Sequence, residues 1–147
     1  MDVCKNNQLI KNKFECDNYA KNLGIVLDEL TESSIRMHME LRDDMENLYN
    51  RPHGGVIYSL ADAAFSIIAN NQNNISVALD CTITYHNGPR TGDMLYVHGW
   101  TLSISRKVSS YLFDVYTLKN DEKTPIATMK GTAYRTGYKI EKEKETD

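Results

Sequence analysis

A single carboxylate, Asp62, interrupts a long apolar segment that follows a His-Gly-Gly sequence at residues 53–55. An ionised carboxylate is costly to bury unless it is paired, and no Lys or Arg lies three or four residues from Asp62. Its helical neighbours at those spacings are Tyr58, Ser59, Phe65 and Ser66. The stripe of small and polar residues around Asp62 predicts the lining of a polar pocket. The same stripe also fits the solvent-facing edge of an amphipathic helix, and the pattern leaves both interpretations open.

The glycines before this segment could stabilise a developing negative charge. Gly54 and Gly55 place main-chain N–H groups at the start of the predicted helix, where no intrahelical acceptor exists and the helix dipole is positive. Glycine also lets a ligand approach the backbone closely. Such donors suit an oxyanion. The alternative is an ordinary turn before a helix.

The spacing of these groups limits how they can cooperate. Gly54 and Asp62 are eight residues apart, which is roughly 12 Å along a helix. One helix therefore cannot present both groups to the same carbonyl. If they act together, the carboxylate must come from a second, antiparallel copy of the chain. The spacing thus indicates a homodimer with two equivalent sites at its interface.

The surrounding pattern predicts an α+β fold. Residues 56–69 are apolar on nearly all sides, which is typical of a buried helix. Alternating apolar residues predict two strands before this helix and four after it, joined by turns that favour antiparallel pairing. The expected strands cover residues 24–30, 33–41, 75–86, 94–105, 110–119 and 125–136, and a short helix is expected over 13–22. One sheet wraps one flank of the central helix, so a second copy would cover the other.

Length and composition limit the class of protein. At 147 residues the chain is expected to be a single domain, 1–147, with flexible tails at 1–12 and 138–147. The net charge of −3 does not suggest a nucleic-acid partner. No apolar run approaches the ~20 residues that cross a membrane, and the polar N-terminus is unlike a signal peptide. We therefore expect a cytoplasmic protein. No Cys/His cluster has zinc spacing, so no metal is expected.

The chain resembles the hotdog-fold acyl-CoA thioesterases of the phenylacetate-degradation type, a group that includes 4-hydroxybenzoyl-CoA thioesterase-like enzymes. The resemblance covers roughly residues 20–137. The motifs that carry it are Asn47, His53-Gly54-Gly55, LADAAF with Asp62, LDCTITYHNGPRTGD, SRKVSSYLFDV and KGTAYRTG. It implies a hotdog fold, in which a long central helix is wrapped by a curved antiparallel sheet.

The resemblance also implies roles for the site residues. Gly54 would donate its N–H to the thioester carbonyl, and Asp62 of the neighbouring subunit would act as nucleophile or as general base. Asn47 would hold the carbonyl or the water. His53 would shape the oxyanion loop, with an ordinary hydrogen-bonded loop histidine as the alternative. No cofactor is implied, because coenzyme A is part of the substrate.

Other residues are candidates for binding the substrate. Gly55, Ser59 and Ser76 would lie near the thioester. Several family members have Ser or Thr in the strand after the helix, where this chain has Ala78, and Ser76 could substitute for that hydroxyl. The candidates for contacts with the phosphates of CoA are Arg90, Arg106, Lys107 and Arg135. Four larger side chains could line the acyl pocket, but core packing is the favoured assignment for each: Tyr58, Phe65, Tyr85 and Trp100.

These expectations combine into one functional hypothesis. The chain would hydrolyse an aromatic or short- to medium-chain acyl-CoA to the free acid and CoA, as a homodimer or a dimer of dimers. A hotdog protein that binds acyl-CoA without hydrolysing it is the alternative, because the fold alone does not decide function. A hotdog hydratase or dehydratase is the third hypothesis, ranked last because His38, His86 and His98 have no evident acid partner at the site.

Overall fold

The computed structural model describes residues 3–141 and contains the predicted order of strands around the long helix. Two strands precede the long helix and four follow it, as the alternation of apolar residues indicated. The helices are α1 (Val3–Phe14), α2 (Asn18–Leu23) and α3 (Gly54–Ile68), with a short 3-10 turn at Asp43–Met45. The strands are β1 (Val26–Leu30), β2 (Ser34–Glu40), β3 (Ser76–Tyr85), β4 (Met94–Ile104), β5 (Val108–Lys119) and β6 (Glu122–Arg135).

The strands form one antiparallel sheet that wraps the long helix. Their order is β1-β2-β4-β5-β6-β3, and α3 contacts the five strands from β2 to β3. Alternate residues of each inner strand face α3, as the period of two in a strand requires. The fully buried ones include Ile35, Met37, Met39, Leu95 and Phe113. The predicted α+β fold, with a helix wrapped by a curved antiparallel sheet, is confirmed.

Phe65 packs helix α3 against the sheet. Its ring lies edge-on to Phe113 at 5.8 Å and packs against Gly131 of β6. A Cβ at Gly131 would lie 3.0 Å from that ring, so the strand approaches the helix closely because it lacks a side chain there. Full burial of an aromatic side chain of this size contributes about 1.5–3 kcal/mol. Phe65 thus has the core role predicted for it.

The edge strand β3 has an unusual surface. It pairs with β6 on one side only, and its opposite edge is open within the described chain. Val77 is 49% exposed and Leu79 is 59% exposed. A β-bulge between Ala78 and Asp80 interrupts the register here. An exposed apolar edge is a template for pairing with another chain. The sequence placed the second copy on the flank of the long helix that the sheet leaves uncovered, and the homodimer stays a prediction.

The flexible tail expected over residues 1–12 is corrected by the structure, in which residues 3–14 form a helix. Ile10 of α1 is buried, and the side chain of Asn7 donates a hydrogen bond to the Leu30 carbonyl at 3.2 Å. Ile10 and Phe14 lie one helical turn apart, and the polar residues between them obscure this short apolar stripe. The second helix ends at Gly24, whose φ of 71° gives the left-handed cap that the sequence suggested.

The other expected tail is only partly within the described chain. Residues 142–147 lie outside the described residues, but the stretch before them is held in place. The Asn73 side chain accepts hydrogen bonds from the N–H groups of Ile140 and Glu141 at 3.1 and 3.0 Å. In residues 3–141, no helix has the length and apolarity needed to span a membrane. The assignment of 1–147 to a single domain stays a prediction.

Candidate active site

The start of α3 presents one free main-chain donor. The His53 ring accepts a hydrogen bond from the Gly55 N–H at 3.0 Å, with Nδ1 as the acceptor. The His53 carbonyl accepts from the N–H of Val56 at 3.0 Å. Within residues 3–141, no acceptor contacts the Gly54 N–H. Histidine capping therefore uses the Gly55 donor and leaves Gly54, the predicted oxyanion donor, available at the positive end of the helix dipole.

Asn47 organises the loop that leads into α3. Its side-chain oxygen accepts hydrogen bonds from the N–H groups of Tyr49 at 2.8 Å and Arg51 at 3.3 Å. Its own N–H donates to the Arg51 carbonyl at 2.7 Å, and His53 N–H donates to Met45. The side-chain nitrogen of Asn47 has no acceptor in the described part of the chain. The loop thus orders Asn47 and leaves its amide donor for a ligand.

Asp62 lines a cavity rather than an open surface. The cavity has a volume of about 200 Å³ and lies between the second half of α3 and the start of β3. Its other lining residues are Phe65, Ser66, Ala69, Asn70, Ser76, Val77, Ala78 and Ala133. No cation forms an ion pair with Asp62 in residues 3–141. Burial raises the pKa of the Asp62 carboxyl above its usual range, which makes it a stronger base when ionised.

Asn70 is a cavity residue that the sequence analysis missed. Its side-chain oxygen accepts a hydrogen bond from the Ser76 N–H at 2.9 Å, and its nitrogen donates to the Ser66 carbonyl at 2.8 Å. It therefore joins the end of the α3 segment to the start of β3. The spacing of Asp62, Ser66 and Asn70 by four residues could have revealed it, because this spacing keeps polar side chains on one helix face.

Ser59 does not join this cavity, although the sequence placed it among the substrate-binding candidates. Its hydroxyl donates to the Gly55 carbonyl at 2.8 Å and lies 2.9 Å from the hydroxyl of Tyr19 in α2. Ser76 and Ala78 do line the cavity. Ala78, predicted to replace a hydroxyl residue, thus contributes a methyl group to the cavity that Asp62 lines, together with Ser76.

Two tyrosines lie near the candidate catalytic groups, Tyr58 beside Asp62 and Tyr85 beside Gly54. Tyr58 lies one turn before Asp62, and a hydrogen bond with the Cys81 thiol together with burial raises the pKa of Tyr58, so its hydroxyl stays neutral. Tyr85 donates its hydroxyl proton to the Gly54 carbonyl at 2.9 Å. Tyr85 is 48% exposed, so its assignment to the core was wrong.

Three of the four predicted cations form a cluster. The Arg135 N–H donates to the Lys107 carbonyl at 2.8 Å, and the Arg135 guanidinium donates to the Ser105 carbonyl at 3.3 Å. Arg106 lies in the same turn. None of the three forms an ion pair with a carboxylate of residues 3–141. Arg135 is opposite Ser76 in the sheet register, so this cluster borders the Asp62 end of β3.

Arg90 lies at the other end of β3. Its N–H donates to the Asp93 carboxylate at 2.8 Å in the loop after Tyr85, on the Gly54 side. A larger groove of about 650 Å³ lies between the N-terminal helices and β1, and it contains none of the predicted site residues. The candidate site residues therefore lie in two groups along β3. Gly54, Tyr85 and Arg90 lie at its C-terminal end, and Asp62 and the cation cluster lie at its N-terminal end.

Comparison with known proteins identifies the family. The model of the thioesterase superfamily matches residues 49–124, just over half of the chain. The chain belongs to the thioesterase superfamily. A putative esterase of Archaeoglobus fulgidus is 33% identical over 107 residues, which cover 73% of this chain and 68% of that protein. The acyl-coenzyme A thioesterase PaaI of Escherichia coli is 31% identical over 127 residues, covering 86% and 89% of the two chains.

Solved structures agree with this thioesterase assignment. The PaaI protein from the phenylacetic acid degradation operon of Escherichia coli superimposes with a TM-score of 0.87 at 26% identity, over 95% of this chain and 100% of that one. The TT0310 protein of Thermus thermophilus gives 0.76 at 28% identity, over 81% and 97%. The predicted hotdog fold, the family and the class of thioester hydrolase are confirmed.

Proposed function

We propose that the protein hydrolyses acyl-CoA thioesters as a homodimer, with two sites that each use both subunits. The observation that carries this proposal is the free Gly54 N–H at the start of the same helix that holds Asp62 in a cavity. Both groups lie against β3, but they are separated by eight residues of helix, about 12 Å. The acyl-CoA thioesterase activity named for the Escherichia coli relative supports the choice of substrate.

The open edge of β3 supplies a way to bring the two ends together. If two β3 strands pair antiparallel about a two-fold axis, the start of one lies beside the end of the other. Gly54 and Tyr85 of one subunit then approach Asp62 and Ala78 of the partner subunit. The exposed side chains of Val77 and Leu79 would be covered in the same step. An apolar edge of this kind is what a chain-to-chain pairing would protect.

The chemistry of hydrolysis follows from these groups. As water or the Asp62 carboxylate adds to the thioester carbonyl, negative charge develops on its oxygen, and the Gly54 N–H stabilises it. One preorganised donor of this kind is worth about 3 kcal/mol. When Asp62 acts as base, it takes the proton of the attacking water and returns a proton to the sulfur of CoA as the C–S bond breaks. When Asp62 acts as nucleophile, the C–S bond breaks to release CoA and leaves a mixed anhydride on Asp62, which water then hydrolyses to the free acid and the carboxylate. The Asn47 amide holds the water or the carbonyl.

The cations favour CoA as the leaving group. Within residues 3–141, no carboxylate pairs with the positive cluster of Arg106, Lys107 and Arg135, and the chemistry of these side chains suits phosphates. Arg90 would join them from the neighbouring subunit. The reaction proposed uses main-chain, amide and carboxylate groups, and CoA enters as part of the substrate. We place the enzyme in the cytoplasm, as a dimer or a dimer of dimers acting on aromatic or short- to medium-chain acyl groups.

The test is thiol release from a panel of aromatic and medium-chain acyl-CoAs, with Asp62→Ala and Asp62→Asn as controls. We expect turnover by the wild type and its loss in both variants. If no substrate exceeds the background rate, or the variants keep full activity, the proposal fails. The alternative is a protein that binds acyl-CoA without hydrolysing it. The observation that supports this alternative is the methyl group of Ala78 in the cavity, where the family resemblance implies a hydroxyl. This alternative predicts saturable acyl-CoA binding with no thiol release.

The shared site has a separate test. Sedimentation of the wild type at micromolar concentration should give a dimer or a larger assembly. A monomer under these conditions would remove the support for a site built from two subunits.

A further inference from the structure

Tyr85 makes a close contact with the residue that carries the proposed oxyanion donor. Its hydroxyl donates to the Gly54 carbonyl at 2.9 Å across 31 residues of sequence. Its ring atoms lie 3.5–3.6 Å from the place where a Cβ of Gly54 would be. The last residue of β3 therefore both covers the open face of Gly54 and binds its carbonyl.

Gly54 needs such a contact because glycine has the greatest backbone freedom of any residue. The peptide that joins Gly54 to Gly55 is held from two sides. His53 Nδ1 accepts from its N–H at 3.0 Å, and Tyr85 donates to its carbonyl oxygen. With that peptide held, rotation of Gly54 is restricted and its own N–H keeps one direction. A donor stabilises an oxyanion most when its direction is set before the reaction.

We propose that Tyr85 is a positioning residue that directs the Gly54 N–H toward the thioester carbonyl. This inference rests on the proposed function, and it gives a role to a side chain to which the family resemblance assigned none in the site. Tyr85 need not touch the substrate to act. Because β3 also forms the proposed dimer edge, the same strand would link formation of the dimer to the order of the oxyanion donor.

The test compares Tyr85→Phe with Tyr96→Phe. The first variant removes the hydroxyl and keeps the ring against Gly54. The control removes the hydroxyl of a tyrosine whose neighbours in β4, Leu95 and Val97, face the core, so that Tyr96 lies on the outer face of the sheet. Acyl-CoA hydrolysis and the ¹⁵N relaxation of the Gly54 and Gly55 amides are measured for both variants and the wild type.

We expect Tyr85→Phe to lower kcat by roughly two- to tenfold, the effect of one hydrogen bond, with little change in KM. The order parameters of the Gly54 and Gly55 amides should fall from about 0.85 toward about 0.6. Tyr96→Phe should change neither. A melting temperature equal to the wild type's would separate this effect from a loss of folding.

The relaxation measurement decides the inference even if the wild type hydrolyses no acyl-CoA. Unchanged order parameters in Tyr85→Phe would overturn it, whatever the activity. A wild type without turnover, combined with a fall in the order parameters, would refute the proposed function and support the positioning role. An equal fall in kcat for both variants would also overturn the inference, because the effect would not depend on contact with Gly54.

Discussion

Replacing Gly54 with proline removes the proposed oxyanion donor and little else. Proline lacks the N–H, and it is well tolerated at the first position of a helix, where Gly54 lies. The residue before a proline must be extended, and His53 already has φ −66° and ψ 137°. A Cβ at residue 54 would meet the Tyr85 ring at 3.5 Å, an ordinary contact. The structure therefore predicts a folded Gly54→Pro variant.

The expected cost falls on catalysis alone. Loss of one oxyanion donor lowers kcat by roughly a hundred- to a thousandfold. The free energy of unfolding should stay constant or rise by up to about 1 kcal/mol, because proline restricts the unfolded chain. Such a gain would raise the melting temperature by about 2–4 °C. Gly54→Ala keeps the N–H and meets Tyr85 at the same distance, so it is the matched control.

The assay is steady-state thiol release together with thermal unfolding for both variants. Gly54→Pro should lose kcat with an unchanged or higher melting temperature, while Gly54→Ala keeps most of its activity. If Gly54→Pro is as active as Gly54→Ala, the Gly54 N–H does not stabilise the transition state. A large drop in the melting temperature would instead contradict the compatible backbone geometry of His53 and Gly54.

Further predictions concern the carboxylate, the interface and the core. Burial raises the pKa of Asp62 above its usual value of 3.8, so the folded state holds this proton more tightly than the unfolded chain. The stability that Asp62 contributes is complete below that usual value and is lost as pH rises through the raised pKa. Asp62→Asn should thus unfold later in denaturant than the wild type at neutral pH, and equal stability there would contradict the shift. Mixed dimers of Asp62→Asn and Gly54→Pro should recover about a quarter of wild-type activity, since half the dimers are mixed and one site in each is intact; no recovery would place the whole site in one chain. Leu79→Lys should charge the β3 edge and give an inactive monomer in sedimentation, whereas a persistent dimer would exclude that edge as the interface. Gly99→Ala would bring a Cβ to 2.4 Å from the Phe113 ring, and such overpacking should lower the free energy of unfolding by about 1–3 kcal/mol in chemical denaturation; wild-type stability would show that the core relaxes there.

The strands and the long helix were predictable because their signals are local and repeated. Alternating residues such as Ile35, Met37 and Met39 identify a half-buried strand without knowledge of its neighbours. The continuous apolar surface from Val56 to Ile68 identifies a buried helix. The helix α1 was missed because Ile10 and Phe14 are its main contacts with the core, and two residues among polar ones give a weak period.

The site was predictable only in part. Gly54 and Asp62 stand out because a glycine at a helix start and an unpaired carboxylate on an apolar helix are each chemically unusual. Tyr85 does not stand out, because a tyrosine in the alternating pattern of a strand looks like a core residue. Asn70 lies just beyond the apolar helix, and only its spacing from Asp62 and Ser66 marks it. Their roles depend on hydrogen bonds that periodicity does not show, from Tyr85 to Gly54 across 31 residues and from Ser76 to Asn70 across 6 residues.

The sequence by itself determined the strands, the long helix that carries the chemistry and the distance between the two functional groups of that helix, Gly54 and Asp62. These follow from periodicity, from local backbone preference and from the rise of a helix, which are all properties of short segments. Only the tertiary structure decided which polar groups already form hydrogen bonds within the chain and which remain available to a ligand. The Gly55 N–H and the Ser59 hydroxyl are paired within the chain. Within residues 3–141, the Gly54 N–H and the Asn47 side-chain nitrogen have no acceptor, because the pairing of a donor depends on where strands and loops bring their acceptors.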